Sequence, residues 1–481
     1  MALVNSSSLE TLLLCDYRRN VAATVCDHID ALRQHTGQVV KMLSCLGNFP
    51  ENLDLNRFDV VIVHYSLILS SDSYLTEFAR SKLRDFAGLK VVFVQDECRW
   101  VNRTVEALNF IGTDLLYSCV PPAEMDKVYA PDATAAIKKR PTLTGYVPRR
   151  FLLEPVLDFE DRPIEVGYRG RKLSAYFGRD ARQKWRIAEE FAQHSQAYGL
   201  RCDLSYRESD RLYGSDWINF LRHCRAVLGV ESGGEVVIDF SGELLERIED
   251  FEKRNPSTSF EKIQQLFLDD REMVNMRQIS PRCFEAAALR CLMILQEGEY
   301  SGLLEPWRHY LPLKKDYSNL AEVVEILRDP ERWARVVENA YREIACNPAL
   351  SYEHFGAEVG RDIQQAFSQK AVARCRPYSS LEFLGVQLAW ACRTRLKPVL
   401  SRVRQRLAAK VSNMEDRFRF WWQVKVHWVR TRPQRVHNGI YVLLNRMPRR
   451  LYLALRGVYR RFKPRPKRVA NSADTASPRV A

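Results

Sequence analysis

Two cations, Arg179 and Lys184, stand five residues apart behind the glycine of Tyr176-Phe177-Gly178. A glycine lets backbone N–H groups close on a phosphate, and a helix starting near Lys184 adds the positive end of its dipole. Gly178, Arg179 and Lys184 can thus hold a diphosphate and neutralise it as it departs. The same residues also read as a glycine turn with solvated cations on an exposed helix face. A second group is Ser280-Pro281-Arg282-Cys283-Phe284-Glu285. Ser280 reads as an N-cap and Pro281 as the first helical residue, which puts Glu285 one turn inside a helix. There it can accept both hydroxyls of a ribose, or simply complement the helix dipole. A third is Leu228-Gly229-Val230-Glu231-Ser232-Gly233, an apolar run ending in an acidic, glycine-rich loop. Glu231, Ser232 and Gly233 can hold a nucleotide or sugar hydroxyls, although the spacing favours a plain strand-to-helix turn.

Further acids and bases lie in the first third of the chain. Gln95-Asp96-Glu97 ends the apolar run 91–94, where a carboxylate is costly to bury without partners. Asp96 or Glu97 is a candidate general base or hydroxyl anchor, with helix capping as the ordinary alternative. His64 follows the apolar run 60–63 in the same way, but a lone histidine at a strand end is more often structural.

Such residues need a rim to stand on. Over 1–150, short β-rich runs (11–15, 39–44, 58–64, 90–95, 114–119 and 142–147) alternate with helix-like stretches such as 21–33 and 73–86. That is the pattern of βαβ units building a parallel sheet. Ligands on such sheets gather beyond the carboxyl ends of the strands, which points at Asp16, His64, Asp96 and Glu97. A polar stretch over 150–170 reads as a linker. A second alternation follows, with strands expected at 172–177, 201–205, 226–230, 291–295 and 310–313, a charged helical insertion over 239–276, and helices over 320–347 and 357–367. The expectation is α/β, two facing Rossmann-like domains at 1–150 and 151–370.

At 481 residues the chain exceeds what one core organises. No window offers the roughly 18 to 20 apolar residues of a membrane span. The amino-terminal residues lack a basic, apolar leader, and the twelve cysteines show no disulfide framework, so the chain reads as cytoplasmic with reduced thiols. The net charge of +14 hides a division: residues 370–481 hold 27 Lys and Arg against 4 Asp and Glu. The body before them is mildly acidic. Residues 371–468 read as basic amphipathic helices broken by prolines, in which Val399, Val403 and Leu407, or Leu451, Leu455, Val458 and Phe462, share a face. The tail 469–481 reads as disordered. Because its cations share segments with Trp421, Trp422, Trp428 and Leu451 and no nucleic-acid motif accompanies them, the arm is expected to meet an anionic membrane surface rather than nucleic acid.

Taken together, the run from Val166 to Arg171, the Gly178-Arg179 to Lys184 element, the Glu231-Ser232-Gly233 loop, the Ser280 to Ala286 helix start and Glu299-Tyr300-Ser301-Gly302 resemble bacterial glycosyltransferases of the GT-B fold. The type is that of the spore-maturation CgeB-like proteins, which are family 1/4-like. His309-Tyr310 to Asp316 with Ser318-Asn319 fits the same pattern, and the match is densest over 166–347. The resemblance implies a nucleotide-sugar donor as substrate on the second domain, a glycan or lipid-linked acceptor on the first, and no cofactor or obligatory metal. It puts Arg179 and Lys184 at diphosphate-binding positions and Glu285 at the second acid of a paired-glutamate motif, where Arg277 replaces the first. The function expected is transfer to a cell-surface polysaccharide or glycolipid, with the basic arm holding the enzyme peripherally on the inner face of the cell membrane. The Arg277 departure keeps open a catalytically inactive module that binds a nucleotide sugar or glycan.

Overall fold

The computed structural model describes residues 8–18, 22–370 and 376–396. Its first sheet is built from β1 (Glu10–Cys15), β2 (Val39–Ser44), β3 (Val60–Val63), β4 (Leu89–Val94), β5 (Leu115–Ser118) and β6 (Lys138–Pro141), with α1 (Ala23–His35), α2 (Glu77–Asp85), α3 (Val101–Ile111) and the single turn α4 (Met125–Val128) between them. All neighbours are parallel, in the order β2-β1-β3-β4-β5-β6. β1, β3 and β4 are covered on both faces and so read as unbroken apolar runs, Leu12 to Leu14 and Val60 to Val63 being almost wholly buried.

The second domain begins with β7 (Ile164–Arg169), α5 (Gln183–Ser195), β8 (Cys202–Ser205), α6 (Gly214–His223) and β9 (Cys224–Gly229). An insertion follows. It pairs β10 (Glu235–Val237) antiparallel with β11 (Met273–Asn275) around α7 (Glu243–Arg254) and α8 (Phe260–Phe267), and so is a two-stranded ribbon with helices rather than helices alone. After it come α9 (Pro281–Ala288), β12 (Leu292–Gln296), β13 (Leu311–Leu313), α10 (Leu320–Arg328) and α11 (Pro330–Ala340). This sheet is also fully parallel, ordered β13-β12-β9-β7-β8. Counted from its own first strand the order is 2-1-3-4-5, which repeats the first sheet, so the chain consists of two Rossmann-like domains, the GT-B arrangement. In both sheets the direction of winding reverses between the first and third strands, and a crevice opens there.

Two strands differ from the sequence expectation. β7 lies inside the stretch read as linker, whereas residues 172–177 form a loop and the 3-10 turn Ala175–Phe177. The last strand of the first sheet is Lys138–Pro141, not 142–147, because an edge strand needs only one covered face and tolerates its three cations and a proline.

The chain then returns to the first domain. α12 (Tyr352–Ser368) buries Tyr352, Phe355, Val359 and Ile363 beside Ile29, Leu32 and Phe93 of the first domain. Tyr378 and α13 (Ser380–Ala391) close another part of that domain, with Phe383 and Val386 buried beside Phe58. No helix among the described residues is long and apolar enough to cross a membrane. No disulfide forms among the described cysteines. The amphipathic segments beyond residue 396 and the tail lie outside the described residues.

Candidate functional site

The facing rims enclose a cavity of about 360 Å³. Gly170, Arg171, Lys184, Ser232, Gly233 and Arg282 line it from the second domain, and Gln95, Asp96, Glu97 and Thr144 from the first. A second hollow of about 520 Å³ lies at the switch point of the first sheet, bounded by Asp16, Tyr65, Ser66 and Trp100. It shares Asp96, Glu97, Arg171 and Phe177 with the first cavity, so those residues stand where the two spaces join.

Behind the second-domain wall the glycine is obligatory, although Gly178 itself does not line the cavity. Gly178 has φ 81°, and a Cβ there would stand 1.8 Å from the carbonyl oxygen of Glu235. The chain turns into the 3-10 segment Arg179–Arg182 and then into α5, whose second residue is Lys184. The Arg179 side chain lies outside what the structure describes. The Lys184 ammonium donates to the carbonyl of Glu231 and lines the cavity. Loss of water on burial, helped by the charge of Arg282, lowers its pKa to about 8.

Arg277, standing where the paired-glutamate pattern has an acid, clamps this turn. Its Nε and Nη2 donate to Asp180 at 2.9 and 2.6 Å and its Nη1 to Glu235 at 3.3 Å, so β10 and β11 are bolted to the segment behind Gly178. The carboxylate of Asp180 also accepts from the Glu235 N–H at 3.2 Å.

The remaining second-domain candidates separate into two groups. Ser232 pairs through its backbone with Gln278 at 2.7 and 2.9 Å and faces the cavity. Gly233, at φ 68°, lets the loop pass the Met276 carbonyl, which a Cβ would meet at 2.0 Å. Arg282 is exposed at the mouth, donates to the carbonyl of Arg169, and sits 5.2 Å above the Trp217 ring. Glu231, by contrast, turns its carboxylate away to accept from the Tyr300 N–H at 2.8 Å, and only its carbonyl serves Lys184. Glu285 is buried on α9 and accepts from the Trp217 indole at 2.7 Å. Desolvation raises its pKa, and it does not line the cavity.

On the first-domain wall the adjacent acids take different places. Asp96 adopts φ 63° and is exposed in the cleft, where desolvation by the facing walls raises its pKa and the charge of Arg171 opposes the rise. Glu97 is 4% exposed. Its Oε1 accepts from the Ser118 hydroxyl at 2.7 Å and the Cys119 N–H at 3.1 Å, which ties the loop to the end of β5. Burial pushes its carboxyl up to about 7. Glu97 thus acts as the tether that holds Asp96 in its left-handed, outward pose. His64 is wholly buried and absent from both linings. Its Nδ1 accepts from the Ser66 N–H at 3.0 Å, so its Nε2 donates to His28 Nδ1 at 3.0 Å, and burial keeps both rings neutral. It is a packed core residue, not a sugar contact.

Two cations in the cavity had no site role in the sequence reading: Arg171, which entered only as the end of the Val166 to Arg171 run, and Arg211. Arg171 follows β7 and Gly170 directly, and placing that strand would have put it on the rim. The cavity therefore offers cations on one side, fit for a diphosphate, and an accessible carboxylate on the other, fit to take a proton from a hydroxyl.

No family model matches the chain, and no curated protein matches it. Solved structures do. Anabaena Alr3699/HepE in complex with UDP shares 10% identity and a TM-score of 0.40 over 74% of this chain and 100% of its own. An alpha-glucosyltransferase in complex with UDP-glucose and DNA containing an abasic site shares 11% identity and a TM-score of 0.43, over 75% and 100%. Sucrose-phosphate synthase from Thermosynechococcus elongatus shares 13% identity and a TM-score of 0.40, over 75% and 100%.

Proposed function

We propose that the protein is a glycosyltransferase that moves a sugar from a nucleotide-sugar donor to an acceptor hydroxyl. One observation carries this reading: Lys184, Arg171 and Arg282 share a cavity with Asp96, and that cavity opens into a second hollow on the first domain. The donor diphosphate lies against the α5 amino end, with Lys184 taking up the charge that grows on it, and Gly178 shapes the turn that leads there. The acceptor occupies the first-domain hollow. Its oxygen bonds to the anomeric carbon as the bond from that carbon to phosphate breaks, and Asp96 receives the hydroxyl proton. Glu97 is a positioning residue. The CgeB-like resemblance over 166–347 supports the same chemistry without an obligatory metal, and the acceptor proposed is a cell-surface polysaccharide or glycolipid.

The test is release of nucleoside diphosphate across a panel of nucleotide sugars, with extracted membrane glycans as acceptors. Lys184→Ala and Arg179→Ala should each lower kcat/KM at least about a hundredfold. Asp96→Asn should lower kcat about 10²- to 10⁴-fold at similar donor affinity. Undiminished turnover in Lys184→Ala and Arg179→Ala would remove the diphosphate site. Nucleotide binding without transfer to any acceptor would favour the inactive module.

A further inference from the structure

α13 is apolar over most of its circumference, with Ser380, Glu382 and Gln387 as its polar residues. A helix of that kind is ordinarily buried on all sides. Here only one side is covered: Phe383 and Val386 insert beside Phe58 and Tyr378, Gln387 donates to the Met42 carbonyl of β2 at 2.7 Å, and Glu382 pairs with Arg57 at 3.0 Å. These bonds fix the helix rigidly on the first domain. The opposite side carries Leu381, Leu384 and Leu388, spaced three and four residues apart and 82%, 44% and 42% exposed. Gly385 and Ala389 beside them are also exposed, and the one charge of α13, Glu382, stands at the edge of this stripe and is paired with Arg57. Leaving apolar side chains in such a row uncovered in water costs free energy in proportion to the exposed area.

What covers the stripe follows from what comes next in the chain. Residues 391–481 are 91 in number and hold 24 Lys and Arg against three Asp and Glu, with Trp421, Trp422 and Trp428 among them. A polycationic chain leaving directly from a leucine stripe has the composition that engages anionic headgroups while apolar side chains enter the acyl boundary. We infer that the outward face of α13 is a docking surface for an anionic lipid bilayer. Leu381, Leu384 and Leu388 enter the interface and fix the orientation of the first domain on the membrane. This inference rests on the exposed stripe and the charge that follows it, and not on glycosyl transfer.

The full-length protein is tested by co-sedimentation with vesicles of phosphatidylcholine, with and without about one quarter phosphatidylglycerol, at low and physiological salt. The triple variant Leu381→Ser, Leu384→Ser, Leu388→Ser should partition at least about tenfold more weakly into the anionic vesicles at physiological salt, where the screened cations contribute less. Leu384→Trp should partition more strongly, since an indole suits the headgroup boundary. Because the three side chains are exposed, the triple variant should keep the melting temperature and the donor hydrolysis of the parent. Vesicle binding unchanged in both variants overturns the proposal. So does a parent dimer, seen by light scattering, that the triple variant dissociates while vesicle binding is retained, since a second copy would then be the occupant. Donor turnover enters none of these readouts, so failure here and failure of the transferase reading are distinguishable.

Discussion

Glu97 offers a quantitative check on the first-domain wall. Its carboxyl is raised from 4.5 to about 7 by burial. A carboxylate with a raised folded pKa makes the native state hold a proton that the unfolded chain has released, so stability falls as pH rises from about 4.5 to 7 and is flat above. The span is about 2.5 units at 1.36 kcal/mol each, or about 3 kcal/mol, roughly a 300-fold change in the opening equilibrium. Glu97→Gln should erase that slope. The amide oxygen still accepts from Ser118 and Cys119, as Oε1 does now, and nothing ionises. Native-state hydrogen exchange of the β4 and β5 amides reports the opening free energy of this domain without requiring the two domains to unfold together. After correction for intrinsic exchange, Glu97→Gln and the parent should be equally protected at pH 4.5, whereas at pH 8 the variant should be more protected by up to about 3 kcal/mol. Equal protection at both pH values would show that Glu97 ionises normally, and the argument from its burial would fail.

Lys184, with its pKa near 8, should bind nucleoside diphosphate progressively less well above that pH, by about tenfold per unit, because binding must then take up a proton. Calorimetry between pH 7 and 9.5 should show this, and a flat profile would deny the ammonium contact. Arg277→Glu restores the first acid of the paired-glutamate pattern, yet places it against Asp180 and Glu235. It should lower both the melting temperature and the turnover, and increased turnover would show that the clamp is dispensable. Gly178→Ala should lower the melting temperature and weaken donor binding by displacing the start of α5, since no side chain fits 1.8 Å from the Glu235 carbonyl. Donor affinity unchanged in a titration would place the phosphates elsewhere.

Most of the first sheet was legible because parallel strands covered on both faces appear as apolar runs, as at Leu12 to Leu14 and Val60 to Val63. β6 was not, since Lys138 to Pro141 has the composition of a loop and gains its place only by pairing with Leu115 to Ser118. β7 hid in a polar stretch, and with it Arg171. Gly178 and Lys184 were legible because their chemistry is local: a tight turn, a helix start, a cation. The fates of Glu231, Glu285 and Arg277 were set by partners distant in sequence, Tyr300, Trp217 and Asp180. Nothing in the spacing of an acid reveals that a remote N–H or indole will claim it. The neighbouring acids Asp96 and Glu97 were indistinguishable as letters. Backbone conformation and the Ser118 and Cys119 donors divide them into an exposed carboxylate and a buried, hydrogen-bonded one.

The central claim is that one cavity joins the diphosphate cations to the acceptor-side carboxylate. The most direct measurement is single-turnover transfer from the nucleotide sugar found to bind, with the full-length protein, its Lys184→Ala variant and its Asp96→Asn variant followed in parallel. The account predicts that Lys184→Ala loses donor binding and chemistry together, while Asp96→Asn binds donor normally and loses the chemical step by at least about a hundredfold. A chemical step in Asp96→Asn as fast as in the parent, with donor bound as tightly in Lys184→Ala, would contradict it.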